Sequence, residues 1–443
     1  MEDNELEKKY NESINFLFSR LPMFSRTGAA AYKPGLDTSL KLAEFFNNPH
    51  SKFPSIHIAG TNGKGSTSHL ISSILQSQGY KVGLYTSPHL VDFRERMRIN
   101  GQMIPKQSVV DFVDKWKNSG YSGQPSFFEL TMIMAFNWFA REKVDYAVIE
   151  VGMGGRLDST NIISPVLSVI TNISHDHNQF LGNTLSEIAR EKAGIIKQDT
   201  PVVIGETQPE IEQVFINTAK EKNAEITFAD QTPFIFPEIK KEIETGQISL
   251  PLKGDYQKKN ILTVLAAIHK LKESGVVIDT ENIIKGVENV CINTGLAGRW
   301  MIIGDNPLVI ADTGHNIGGL SYNVAQLQRL LSEKPKATLR MIIGFVADKA
   351  IDKILDILPM NAEYYITNAQ IPRALPALEL LSRFVSRGFQ ARAFSDVESA
   401  YRNAKKEASE EDIIYIGGST FVVADFLNYL HLYDGHALST DCC

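Results

Sequence analysis

A lysine, a serine and two threonines threaded through glycines make the first stretch with chemistry in it: Gly60-Thr61-Asn62-Gly63-Lys64-Gly65-Ser66-Thr67. Glycines let the backbone curl until successive N–H groups point inward, and a helix start adds its partial positive charge, so the loop can cradle phosphate. Lys64 would reach the outer phosphates of a nucleotide, and Ser66 would ligate Mg²⁺. The spacing departs from the usual phosphate-loop pattern: two residues separate Gly60 from Gly63-Lys64, and Gly65 intervenes before the hydroxyl. A turn that holds nothing is the bland alternative. Against it, strand, lysine, hydroxyl and helix fall in register.

A second group of side chains collects where strands should end. Glu150 closes the apolar run over residues 144–149, and a carboxylate desolvated there without a partner is costly, so it wants a cation. The glycines of Gly152-Met153-Gly154-Gly155-Arg156 let backbone approach a ligand closely. Ser87, in Thr86-Ser87-Pro88-His89, ends another strand and is a candidate direct or outer Mg²⁺ group, although Ser-Pro alone is a common turn. The strand over 166–171 leads into Asn172-Ile173-Ser174-His175-Asp176-His177. An imidazole and carboxylates at adjoining strand ends suit Mg²⁺ or Mn²⁺ beside a nucleotide. A lone histidine would be structural, but Ser66, Glu150 and His177 converge on one sheet edge in this reading.

Lys192 stands apart. Thr184 and Glu187 form a capping box and Gly194 a stop, so a short helix lies between them with Leu185, Ile188 and Ala189 on its apolar face. Lys192 falls on that same face. A snorkelling stem is the ordinary explanation. A buried amine with a lowered pKa can instead react with CO₂ to give a carbamate, an extra anionic partner for a metal.

The elements that must hold these groups alternate strand and helix. Tyr10, Ile14, Leu17, Phe18 and Leu21 repeat at helical spacing, and a stretch rich in Gly and Ala over 26–34 precedes a second helix through Leu42, Phe45 and Phe46. Residues 127–139 make an almost wholly apolar helix; Phe127 and Phe128 at its start belong to the core or line a flat heterocycle's pocket. Residues 201–253 offer short strands and a polar, Pro-punctuated excursion with no site. Asn260, in the first turn of the next helix, could bond a purine edge or be a surface amide. A small-residue link at 293–298 ends the first domain, and strands alternate with helices again beyond Arg299, as in a doubly wound parallel sheet. Asp312-Thr313-Gly314-His315-Asn316 follows the first long strand there.

The fold class is therefore α/β: an N-terminal P-loop ATPase domain with a mainly parallel sheet over 1–296, and a smaller Rossmann-like doubly wound domain over 297–443. A chain of 443 residues suits two domains. Its hydrophobic content of 43%, charged content of 22% and net charge of −6 describe an ordinary globular protein and give no basis for a nucleic-acid or membrane partner. The acidic start and the lack of any long apolar run point to the cytoplasm. Cys291, Cys442 and Cys443 suit neither a disulfide framework nor a zinc site, and the terminal pair reads as a tail.

Taken in order, these motifs resemble those of folylpolyglutamate synthase and dihydrofolate synthase, within the ATP-dependent Mur-type ligases. The resemblance rests on 60–66, Thr86-Ser87-Pro88-His89-Leu90, Phe127-Phe128-Glu129-Leu130-Thr131, 150–158, Asp176-His177 and Arg190-Glu191-Lys192-Ala193-Gly194. It implies an acid–amino-acid ligase: a folate or dihydropteroate carboxylate takes the γ-phosphate of ATP, and L-glutamate displaces the acyl phosphate. It implies that the loop from Gly60 to Thr67 holds ATP with Asn260, Arg299, Asp312 and His315, the contacts coming from both domains, which would close on the ligand. Ser66, Ser87, Glu150 and His177 would hold Mg²⁺, with Mn²⁺ or a monovalent cation such as K⁺ also admitted. Lys64, Lys192, Glu150 and His177 would be catalytic, and Lys192 carbamylated. Phe127 or Phe128 would serve the pterin, and Ser419 the incoming glutamate. One departure is Asp312-Thr313-Gly314-His315-Asn316-Ile317, where the family more often has Asp-Gly-Ala-His-Asn-Pro. The expected form is a monomer. Two rivals are a sister ligase joining an amino acid to another carboxylate, against which the motif at 127–130 speaks, and a non-catalytic ATP-switched binding module.

Overall fold

The computed structural model describes residues 2–23, 35–232 and 235–433. The Gly/Ala-rich stretch over 26–34 and the Cys442-Cys443 pair lie outside the described residues.

Aliphatic and β-branched runs become the strands. Those of the first sheet are β1 Ser55–Ala59, β2 Val82–Tyr85, β3 Met97–Ile99, β4 Gln102–Met103, β5 Tyr146–Glu150, β6 Leu167–Ile170, β7 Val202–Ile204 and β8 Ile226–Phe228. They lie in the order β4-β3-β2-β5-β1-β6-β7-β8, parallel from β2 to β8, with β3 and β4 antiparallel at one edge. β1 is central and buried throughout, as an apolar strand covered on both faces must be. Glu150 pairs in register with Ile58, which brings the end of β5 beside the phosphate loop.

Helices cover this sheet. The helix Lys64–Ser77 is buried although it carries Ser66, Thr67, Ser68, His69, Ser72 and Ser73 on or under its surface. Its neighbour Thr280–Glu288 comes close because Gly286 faces Ile74: a Cβ on that glycine would stand 2.4 Å from Ile74 Cα. The helix Phe127–Glu142 is opened by a capping box of Ser126 and Glu129 and buries most of its side chains. The N-terminal helix Glu2–Arg20 buries Tyr10 and Leu17.

The second sheet consists of β9 Met301–Asp305, β10 Leu308–Ala311, β11 Leu339–Ile343, β12 Glu363–Ile366, β13 Gln390–Ala393 and β14 Ile413–Gly417. Its order is β13-β12-β11-β14-β10-β9, parallel except for β9 at the edge. The last strand returns between β10 and β11, so the connections run both ways from the centre, the doubly wound arrangement.

Two compact units share the chain: one reaches Leu250 and includes Lys259–Gly295, the other takes Pro251–Lys258 and the chain from Leu296 onward. A linear division after residue 296 misses one thing. Residues 251–258 group with the second unit, where Asp255 N donates to Gln326 Oε1 at 2.8 Å and Arg329 pairs with Asp255 at 2.5 Å.

Candidate active site

The phosphate loop leaves β1 in a conformation that only glycine tolerates. Gly60 has φ +143° and Gly63 φ +82°; a Cβ on Gly60 would lie 1.8 Å from Thr171 Oγ1, and one on Gly63 2.3 Å from Asn260 Oδ1. The segment after β6 straps the loop down. Thr61 N donates to Asn172 O at 2.9 Å, Asn62 N to Asn172 Oδ1 at 3.0 Å, and Thr171 Oγ1 to Asn62 O at 2.6 Å. Gly63 caps the helix Lys64–Ser77 without any side-chain bond, and a helix start of this kind turns backbone N–H groups and partial positive charge toward an anion. Glycine cradle, uncapped helix start and lysine together fit nucleotide phosphates.

Two lysines meet at one carbonyl. Lys64 Nζ donates to Gly60 O and Thr61 O, both at 3.1 Å, and Lys192 Nζ donates to Gly60 O at 2.8 Å. The helix Leu185–Ala193 opens on the capping box of Thr184 and Glu187, ends at Gly194, and turns Ile188, Ala189 and Lys192 inward. Lys192 is only 3% exposed. Its pKa falls to about 7, first because burial penalises the ammonium and second because Lys64 repels it; Asp176 and Asp158 pull weakly the other way. An amine in this state is a nucleophile near neutral pH.

Glu150 is 4% exposed and accepts a bond from the Ser87 backbone N–H at 3.1 Å, which puts these two residues side by side. Ser66 is buried on the helix that the phosphate loop opens. His177 sits at φ +53° before the short helix Asn178–Leu181, with Nε2 4.0 Å from Asp176 Oδ2. Among the described residues, no three of His, Cys, Asp and Glu gather closely enough to hold a metal by themselves. Hydroxyl, carboxylate and imidazole are donor types that suit Mg²⁺, an ion that keeps water and takes phosphate oxygens.

The two phenylalanines separate. Phe127 stacks on Phe18 at 5.3 Å with the Arg96 guanidinium 5.3 Å above its ring, so it is core. Phe128 is half-buried; its Cζ lies 2.5 Å from where a Gly152 Cβ would stand, and Asp158 Oδ2 lies 3.1 Å from the same point. Asp158 is buried beside Phe128 and Gly152, and the motifs alone gave it no role. It accepts from Met153 N at 2.8 Å and from Thr160 N and Oγ1 at 3.0 and 2.5 Å, while burial pushes its pKa up. A carboxylate in a glycine-rich run, eight residues beyond Glu150, was the available signal.

Asn260 is buried against Gly63, which removes the surface-amide alternative. In the second unit, Arg299 donates to Gly298 O at 3.2 Å and to Thr313 Oγ1, and His315 Nδ1 lies 3.0 Å from Thr313 O. Asp312 accepts from Tyr256, Trp300, Gly314 and Asn323. Ser419 is buried and precedes the helix Thr420–Tyr433, its Oγ accepting from Phe421 N at 3.2 Å.

This geometry has known counterparts. The Mur ligase middle domain matches residues 58–268 and the Mur ligase glutamate ligase domain matches residues 298–420, so the chain belongs to the Mur ligase family. A Bacillus subtilis dihydrofolate synthase/folylpolyglutamate synthase is 32% identical over 416 residues, covering 89% of this chain and 94% of its own length. A probable bifunctional folylpolyglutamate synthase/dihydropteroate synthase of Haloferax volcanii is 32% identical over 94% of this chain, which spans only 50% of that relative. Among solved structures, Escherichia coli FolC in complex with DHPP and ADP has a TM-score of 0.80 at 27% identity, covering 96% of this chain and 98% of that one. A Yersinia pestis bifunctional folylpolyglutamate synthase/dihydrofolate synthase with AMPPNP and Mn ion has a TM-score of 0.79 at 29% identity over 95% and 98% of the two chains. Within the family, the chain falls in the folylpolyglutamate synthase/dihydrofolate synthase branch. Among the described residues, no helix is long and apolar enough to cross a membrane.

Proposed function

We propose that this protein is an ATP-dependent ligase that adds L-glutamate to reduced folates, and also to dihydropteroate. The meeting of Lys64 and a desolvated Lys192 on the Gly60 carbonyl carries the reading. Bound ATP with its divalent cation supplies a phosphoryl group that turns an unreactive carboxylate into an acyl phosphate, which the glutamate amine can displace. The chain's own groups do the holding. Lys64 and the loop N–H groups neutralise and orient phosphate, a largely electrostatic task. Ser66, Ser87, Glu150 and His177 would hold Mg²⁺ or Mn²⁺.

Lys192, as the neutral amine, adds through its nitrogen to the carbon of CO₂ and releases one proton, leaving a carbamate anion on the metal side. Phe128 offers a ring face to a pterin. Asn260, Arg299 and His315 are the nucleotide contacts outside the loop, and Ser419 serves the incoming glutamate. A reaction that consumes ATP points to the cytoplasm, with a monomer as the working form.

The test is ADP release with L-glutamate and either dihydropteroate or tetrahydrofolate. Release that needs both glutamate and a folate supports the reading; ATP binding without glutamate-dependent turnover overturns it. Lys64→Ala should raise the barrier by about 3 kcal/mol, roughly a hundredfold in rate, and near-normal turnover would count against the assignment.

A further inference from the structure

The second unit holds a carboxylate with no acceptor position left for a ligand. Asp312 is 2% exposed. Its Oδ2 accepts from the Tyr256 hydroxyl at 2.6 Å and Trp300 N at 2.7 Å, and its Oδ1 from Gly314 N and Asn323 Nδ2, both at 2.7 Å. A carboxylate offers about four acceptor directions, and all are taken by protein donors. The nucleotide contact that family resemblance implies for Asp312 therefore has no free lone pair to use.

What the carboxylate does instead follows from its donors. Trp300 N belongs to the residue after Arg299, and Gly314 N to the residue before His315. One anion thus pins together the two backbone segments that carry both proposed nucleotide contacts. Thr313 N donates to Gly298 O at 3.0 Å, and the Arg299 guanidinium donates to Thr313 Oγ1, closing the same arrangement. Trp300 has φ +52°, a left-handed backbone unusual for so bulky a residue, held by its buried ring and its bond to Asp312. Asn323 gives its Nδ2 to both Asp312 and the Tyr415 hydroxyl, while its Oδ1 has no hydrogen-bond partner. The carboxylate dictates that orientation even at the expense of a buried acceptor.

We propose that Tyr256 is a positioning residue for nucleotide binding: through Asp312 it locks the backbone from which Arg299 and His315 act. The inference rests on the reading that Arg299 and His315 contact the nucleotide. Tyr256→Phe in the full-length enzyme removes one hydroxyl and keeps the ring. Its KM for ATP should rise about five- to tenfold, as for the net loss of one ordinary intramolecular hydrogen bond. The kcat, the KM for folate and the KM for glutamate should stay within about twofold, as expected for a change confined to nucleotide affinity. In an Arg299→Ala/His315→Ala background the same substitution should add little, because the groups it positions are gone.

An unchanged KM for ATP in Tyr256→Phe overturns the proposal. So does a fall in Tm and kcat with unchanged KM values, which would mark a purely structural tyrosine. If Arg299→Ala and His315→Ala each leave the KM for ATP as it was, the reading beneath the proposal falls, and the proposal with it.

Discussion

Lys192→Met should make the protein more stable and inactive. The amine is 3% exposed and its pKa falls from an ordinary 10.5 to about 7, through burial first and Lys64 second. A folded pKa below the unfolded one means that the unfolded chain takes up a proton the native state refuses. Stability is therefore lost as pH falls from 10.5 toward 7, and the cost levels off below that. At about 1.36 kcal/mol per pKa unit the cost is about 2 kcal/mol at pH 9 and about 4 kcal/mol at pH 7. Methionine fills similar space without the charge and forfeits one hydrogen bond, about 1 kcal/mol. The net gain is about 3 kcal/mol at pH 7 and about 1 kcal/mol at pH 9. Guanidinium unfolding at both pH values, in CO₂-depleted buffer without nucleotide, measures it; ADP release measures the loss of function. A variant less stable than the parent at pH 7, or a gain that grows with pH, refutes the electrostatic account. Retained ligation refutes the role given to the lysine.

The two phenylalanines should part company. Phe128→Ala should raise the KM for the folate while leaving Tm nearly unchanged, whereas Phe127→Ala removes a core ring and should cost about 3–5 kcal/mol in a denaturation curve. Gly60→Ala places a methyl 1.8 Å from Thr171 Oγ1 and should abolish nucleotide binding by titration calorimetry; measurable affinity there would show that the loop can yield.

Much of the site was legible because local chemistry dictates it. The glycine loop, the capping box at Thr184 and the carboxylate ending β5 each announce themselves within ten residues of sequence. The hairpin of β3 and β4 is equally local: Asn100 and Gly101 adopt φ +46° and +75°, the two-residue turn that Asn-Gly favours. Other features depend on partners distant in sequence. Nothing local tells Phe127 from Phe128, since Phe18 and Gly152 decide which ring is covered. Nor does the motif containing Asp312 reveal that its lone pairs are spent on Tyr256 and Asn323, 56 and 11 residues away.

The grouping of residues 251–258 with the second unit has a consequence for how the gene can be divided. The chain enters the second unit at Pro251, leaves it after Lys258, and re-enters at Leu296. Asp255 and Tyr256 leave the ribosome long before Gln326, Arg329 and Asp312 exist to receive them. A fragment cut at Gly295 would deprive the second unit of Tyr256, and a fragment cut at Leu250 would carry off the three helices that the first unit takes from the stretch up to Gly295. No single cut yields two self-sufficient pieces, so recombination between relatives at the apparent border must bring this eight-residue passage along with it.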